Sequence, residues 1–222
     1  MATADPNQAP GTVVLVHGLW FPAAFLGLLA HRLEQGGFRV RSFSYATTRV
    51  PLTDSAARLQ HLCGRDYPHG VHLLGHSLGG LLLLQMLQAG RWSRPGRVLL
   101  LGTPLAGSAV ARRVSDWPGA DWVLGQAAQP LTTGHQGWPE QRSVGMIAGS
   151  RSAGLGRLAG RLPRPNDGTV TVAETQHALL SAHLTLPVSH TGMLASAAVA
   201  RQAISFLKRG RFSPATDWRS KA

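Results

Sequence analysis

Apolar residues in this chain fall in short unbroken runs separated by longer amphipathic stretches. Thr12-Val13-Val14-Leu15-Val16 is apolar without alternation, the pattern of a strand buried on both faces. Val71 to Leu74, Arg97 to Leu101 and Ser143 to Ala148 read the same way, and Leu184 to Pro187 predicts a short sixth strand. Arg39 to Tyr45 alternates, so it predicts a more exposed strand. Helical periodicity fills the gaps: Ala23 to Gln35, stopped by Gly36-Gly37, and Thr53 to Cys63, with Thr53 or Asp54 near the N-cap. Gly79 to Ala89 is apolar nearly all round and predicts a buried helix. Met193 to Leu207 predicts the last one. Strands alternating with helices imply an α/β architecture, a mostly parallel sheet of about six strands covered on both faces. The pattern predicts one domain over 12–207, a flexible leader at 1–11 and a basic tail at 208–222.

Two segments break this rhythm. Residues 106–142 carry Trp117, Trp122 and Trp138 among Gly, Pro and Gln, and 149–166 is rich in Gly and Arg. Both follow strands. In an open α/β sheet ligands bind beyond the carboxyl ends of strands, so 106–142 is expected to form a small cap over a site.

The chemistry starts at Gly75-His76-Ser77-Leu78-Gly79-Gly80, a G-x-S-x-G between a predicted strand and a predicted helix. A serine on such a turn sits in strained, positive-φ backbone, and only small neighbours let strand and helix approach that closely. Ser77 is therefore the candidate nucleophile, with the Leu78 N–H aimed where an oxyanion forms. A serine hydroxyl needs a base, and the base needs an orienting acid. On α/β sheets carrying such an elbow the acid and then the histidine follow in the chain. Of ten histidines, His190 in Pro187-Val188-Ser189-His190-Thr191-Gly192 follows the last strand and precedes the last helix, and it is the candidate base. Asp167, in Asn166-Asp167-Gly168, is the candidate acid, with Glu174 in reserve; Asn-Asp-Gly is also a plain turn signal. The second oxyanion donor is expected in the loop after the first strand, at the Leu19 N–H, with Trp20 as alternative. His17 reads as a loop-fixing residue, and His76 as a poor base because it points away from its neighbour Ser77. Trp20 and Phe21 are expected to contact substrate, together with tryptophans of the cap.

These residues resemble the lipase and esterase branch of the α/β-hydrolase superfamily, most of all its compact bacterial lipases. The likeness is carried, in order, by Val16-His17-Gly18-Leu19, the elbow, Gly102-Thr103-Pro104-Leu105-Ala106-Gly107-Ser108, Asn166-Asp167-Gly168-Thr169-Val170 and Ser189-His190-Thr191-Gly192. It implies a Ser77–Asp167–His190 triad with the Leu19 and Leu78 amides as oxyanion hole. It also implies hydrolysis of carboxylic esters through an acyl-enzyme. The chain departs from secreted relatives in lacking a signal peptide, a clear lid helix and placeable calcium ligands.

Composition narrows the alternatives. Net charge is +12, almost all from arginine, since lysine occurs only at 208 and 221. No nucleic-acid-binding motif accompanies that charge, so the expected partners are a small ester or lipid substrate and, at most, an anionic membrane surface. No cofactor or metal motif is evident. A single cysteine and an N-terminus without signal-peptide features predict a cytoplasmic protein. The triad fixes acyl transfer and not its acceptor, so a thioesterase or acyltransferase is the first alternative. A non-catalytic ligand- or membrane-binding module is the second.

Overall fold

The computed structural model describes residues 11–88, 94–138, 142–153 and 160–214. Six strands form one parallel sheet in the order β2-β1-β3-β4-β5-β6: β1 Thr12–Val16, β2 Arg39–Phe43, β3 His72–His76, β4 Val98–Leu101, β5 Val144–Gly149 and β6 Ala182–Leu186. β1, β3, β4 and β5 are buried along their whole length, which is why their sequences read as continuous apolar runs. β2 and β6 are the edges and alternate more loosely.

The sheet separates two cores. Val14, Val16, Leu73 and Leu100 face α2 (Leu52–Asp66) and α3 (Leu78–Gln88). Val13, Leu15, Leu74 and Leu99 face α1 (Gly27–Gln35) and α8 (Ala197–Arg209). α1 and α2 thus cover opposite faces, as right-handed crossovers require when the chain steps from β1 out to β2 and back to β3. The winding reverses between β1 and β3, and that switch point opens a crevice at the carboxyl ends of the strands. Cys63 lies buried in the first core, where burial pushes its thiol up to about 12.

Several boundaries differ from the sequence expectations. The first helix opens with a 3-10 turn, Ala23–Leu26. α2 starts at Leu52 behind an extended Pro51, ahead of the expected Thr53 or Asp54 cap. The last helix is two: α7 (Gly192–Ala195) and α8, parted at Ser196, whose hydroxyl oxygen accepts the Val199 N–H and caps α8. Within 106–142 three short helices form, α4 (Ala109–Ser115), α5 (Ala120–Val123) and α6 (Ala128–Thr133). The leader through residue 10, Ala89, residues 154–159 of the Gly- and Arg-rich segment, and the tail from 215 lie outside the described residues. No helix among the described residues is long and apolar enough to cross a membrane.

Candidate active site

β3 runs straight into α3 through one residue, Ser77, at φ +54. Left-handed backbone is costly for a residue with a Cβ, and tertiary bonds hold it. The Ser77 N–H donates to the Leu101 carbonyl (2.9 Å), and its own carbonyl accepts from the Gly80 N–H (2.9 Å) and the Thr103 hydroxyl (3.1 Å). A Cβ on Gly79 would overlap the carbonyls of Val16 and His17, and one on Gly75 would overlap the Gly79-Gly80 backbone. The glycines flanking the serine are therefore a steric requirement of the strand–helix approach. Leu78 is the first residue of α3, with a fully buried side chain. Its N–H belongs to the first turn, where no intrahelical acceptor exists, and it sits at the positive end of the helix dipole.

The Asp167 and His190 side chains meet beside this turn. His190 Nδ1–H donates to Asp167 Oδ2 at 2.7 Å, with both side chains buried. The His190 backbone N–H donates to the Asp167 carbonyl (2.9 Å). Asp167 Oδ1 accepts the Thr169 N–H (2.9 Å) and the Val170 N–H (2.7 Å). Turn chemistry and pairing with histidine thus coexist, one oxygen for each. Burial alone raises the Asp167 pKa, but His190 and the two amides outweigh it and leave the carboxyl below its usual range. Glu174 is committed elsewhere: its oxygens accept the N–H groups of Ala109 (2.6 Å) and Thr171 (2.8 Å), so it pins α4 to the acid loop.

After β1, His17 holds the loop. Its Nδ1–H donates to the Gly18 carbonyl, while Nε2 accepts the Tyr45 N–H, a single neutral tautomer serving both contacts. Among the described residues the Leu19 N–H has no internal acceptor, whereas the Trp20 N–H leans on the Thr47 hydroxyl at 3.4 Å.

A cavity of about 480 Å³ joins these parts. Ser77, His76 and His190 form its polar floor, and Leu19, Trp20 and Phe21 edge it. Its walls come from α4, α5 and α6, through Val110, Val114, Val123 and Leu131. No Asp, Glu, Lys or Arg lines it. Of the three tryptophans expected over the site, Trp117 lines the cavity, Trp122 is 91% exposed and Trp138 stacks on His177 at 4.2 Å. Thr103, Val110 and Val114 carry no sequence signal of their own; Thr103 lies in Gly102-Thr103-Pro104, whose spacing does not reveal that its hydroxyl holds the Ser77 carbonyl. Among the described residues no cluster of three or more His, Cys, Asp or Glu is placed to hold a metal ion.

Buried and half-buried histidines give the fold a pH dependence. Burial lowers the pKa of His17, of His76 to about 3, of His135 to about 4, and of His183. Unfolded, each titrates near 6.5. Below that value the unfolded chain takes up protons the folded chain refuses. Stability is therefore complete above pH 6.5 and lost as pH falls toward the folded values. Thermal melts should show Tm dropping steadily from pH 6.5 to 4; equal Tm at pH 7.5 and 4.5 would contradict this.

Comparison with known proteins agrees with the topology. The model of the alpha/beta hydrolase family matches residues 13–220. No curated protein sequence matches the chain. Among solved structures, the mature lipase BlEst2 of Bacillus licheniformis is similar at 22% identity and a TM-score of 0.69, over 88% of this chain and 91% of that one. The metagenomic carboxyl esterase MGS0156 is 16% identical over 83% and 65% of the two chains, with a TM-score of 0.61. The thioesterase RedJ from the prodiginine pathway of Streptomyces coelicolor is 15% identical over 92% and 91%, with a TM-score of 0.56. At such identities the neighbours speak for the fold, and the family match speaks for descent: this chain belongs to the α/β-hydrolase family.

Proposed function

We propose that the protein is a serine hydrolase of carboxylic esters with apolar acyl groups, working through Ser77, His190 and Asp167. The observation that carries this reading is the buried 2.7 Å Asp167–His190 pair whose histidine lines the same cavity as a strained Ser77, with Asp167 behind the wall. His190 Nδ1 bears the proton given to Asp167, which leaves Nε2 as the accepting nitrogen. As Ser77 Oγ attacks the ester carbonyl, its proton passes to Nε2. The oxyanion is held by the Leu19 and Leu78 N–H groups, each donor being worth about 3 kcal/mol of barrier. His190 then protonates the leaving alkoxide, and water releases the acyl group from Ser77 by the reverse proton path.

The walls argue for the acyl part. At about 480 Å³ the cavity falls within the usual range of small-ligand pockets and so suits an acyl chain of medium length. Of the six large exposed hydrophobics among the described residues, Trp20 and Trp117 line it and Trp122 lies on α5 of its wall. With a net charge of +12, that collar suits contact with an anionic lipid surface. The residues from α4 to α6 act as the cap in this reading. The single cysteine suits a cytoplasmic location.

A thioesterase is the second reading. A polar cavity of about 570 Å³ beside the acid loop is lined by Arg161, Arg164 and Ser152, a lining suited to the phosphates of a CoA thioester. Turnover of p-nitrophenyl esters from acetate to dodecanoate, beside acyl-CoA of equal length, tests both. The proposal expects ester hydrolysis highest at medium chain length. Val110→Trp, which narrows the wall, should lower decanoate turnover at least roughly 10-fold relative to acetate. Preference for the CoA thioester at every length would favour the second reading, and no turnover of either would favour a binding module.

A further inference from the structure

His76 is buried, next to the proposed nucleophile in the chain and packed against the proposed base, yet the acyl-transfer steps above do not use it. Its Nε2 lies 3.0 Å from the His190 carbonyl oxygen. A carbonyl only accepts, so Nε2 bears the proton and Nδ1 is a bare acceptor. That Nδ1 is buried without a partner, and it faces Gly18, on which a Cβ would stand 3.0 Å away. A buried acceptor left unpaired destabilises the fold, and an apolar side chain would avoid the penalty. What histidine supplies here is the single donor on Nε2.

We infer that His76 is a positioning residue for His190, its Nε2–H fixing the His190 carbonyl and with it the approach of the imidazole to Ser77; the inference rests on the function proposed above. The His190 backbone is then held on both sides. Its N–H goes to the Asp167 carbonyl (2.9 Å) and its C=O takes the His76 donor. The two rings also pack, with centroids 4.7 Å apart. Without the donor, the His190 carbonyl loses its buried partner, and the peptide between His190 and Thr191 loses one of its anchors. A displacement of about 1 Å at the base is enough to cost roughly 100-fold in rate.

His76 is suited to this work because it stays neutral. The titratable groups facing it are Asp167 from the loop beyond β5, His190 from the loop beyond β6, and His17 from the loop after β1. Burial, then His190 and His17, push its pKa down, and the bond to the His190 carbonyl and the Asp167 charge oppose them only in part. When His190 takes the Ser77 proton, its ring neighbour therefore carries no second positive charge.

The test compares His76→Gln, His76→Asn and His76→Leu by steady-state ester kinetics and by the rate of fluorophosphonate labelling. Gln carries an N–H₂ to about the Nε2 position; Asn falls short and Leu has none. The expected result is a kcat loss of roughly 100-fold in the Leu and Asn variants, KM little changed, labelling slowed in parallel, and most of the rate restored in the Gln variant. Where the Leu variant does not fold, the Gln–Asn contrast decides alone. Equal rates in Gln and Asn, whether high or low, would overturn the inference and leave His76 a packing residue. Failure of the hydrolase reading looks different: wild type itself neither turns over esters nor labels.

Discussion

Replacing Ser77 with alanine should lower ester turnover by roughly five orders of magnitude or more, the scale of losing a nucleophile activated by its own base. The change removes one oxygen and leaves the backbone at φ +54 with the same Cβ, so the fold should persist with Tm nearly unchanged. Ser77→Gly makes the argument sharper. Glycine reaches that φ without steric cost, so this variant should be equally inactive and no less stable than wild type. Loss of activity together with folding in both variants would mean that Ser77 serves the elbow more than the chemistry. Retained turnover in folded Ser77→Ala would refute the proposed mechanism.

Asp167→Asn should lower kcat about 10⁴-fold. The asparagine carbonyl can still take the Thr169 and Val170 amides, so the turn survives. Its NH₂ group would then face His190 Nδ1 and donate to it. The imidazole proton is thereby forced onto Nε2, the atom that must accept the Ser77 proton. KM should change little, since Asp167 is not part of the cavity wall. Stability should fall modestly at neutral pH, where the depressed carboxyl pKa contributes, and that difference should shrink as pH falls through the folded-state value. A kcat within tenfold of wild type would point to a different acid. Glu174 would then need to leave the amides of Ala109 and Thr171 that now occupy it.

The strands and the elbow were legible because their sequence signals are local. A strand buried on both faces must be apolar at every position, and Val13 to Val16 can hardly be read otherwise. Gly75 and Gly79 leave their mark because nothing larger fits between β3 and α3. That 106–142 lies over the site was expected, but its helices and the residues that wall the cavity were not legible. α4, α5 and α6 span only seven, four and six residues, too few for a period to show. Tertiary bonds hold the segment instead: Glu174 to the Ala109 N–H at the start of α4, and the Gln126 N–H, between α5 and α6, to the Thr48 carbonyl. The break at Ser196 hid inside an apolar stretch because a serine N-cap resembles any other small residue there. His76 went unread for a related reason. Its partner His190 is 114 residues away, and adjacency to Ser77 speaks only against a role as base.

Labelling with a fluorophosphonate probe, wild type against Ser77→Ala, bears most directly on the central claim. Such a probe reacts with a serine whose hydroxyl is activated by a base and whose oxyanion is held by donors, and it requires no knowledge of the natural substrate. Rapid labelling of wild type, lost in Ser77→Ala while both proteins melt cooperatively, is the predicted result. Folded wild type that stays unlabelled, or labelling that survives the substitution, would contradict it.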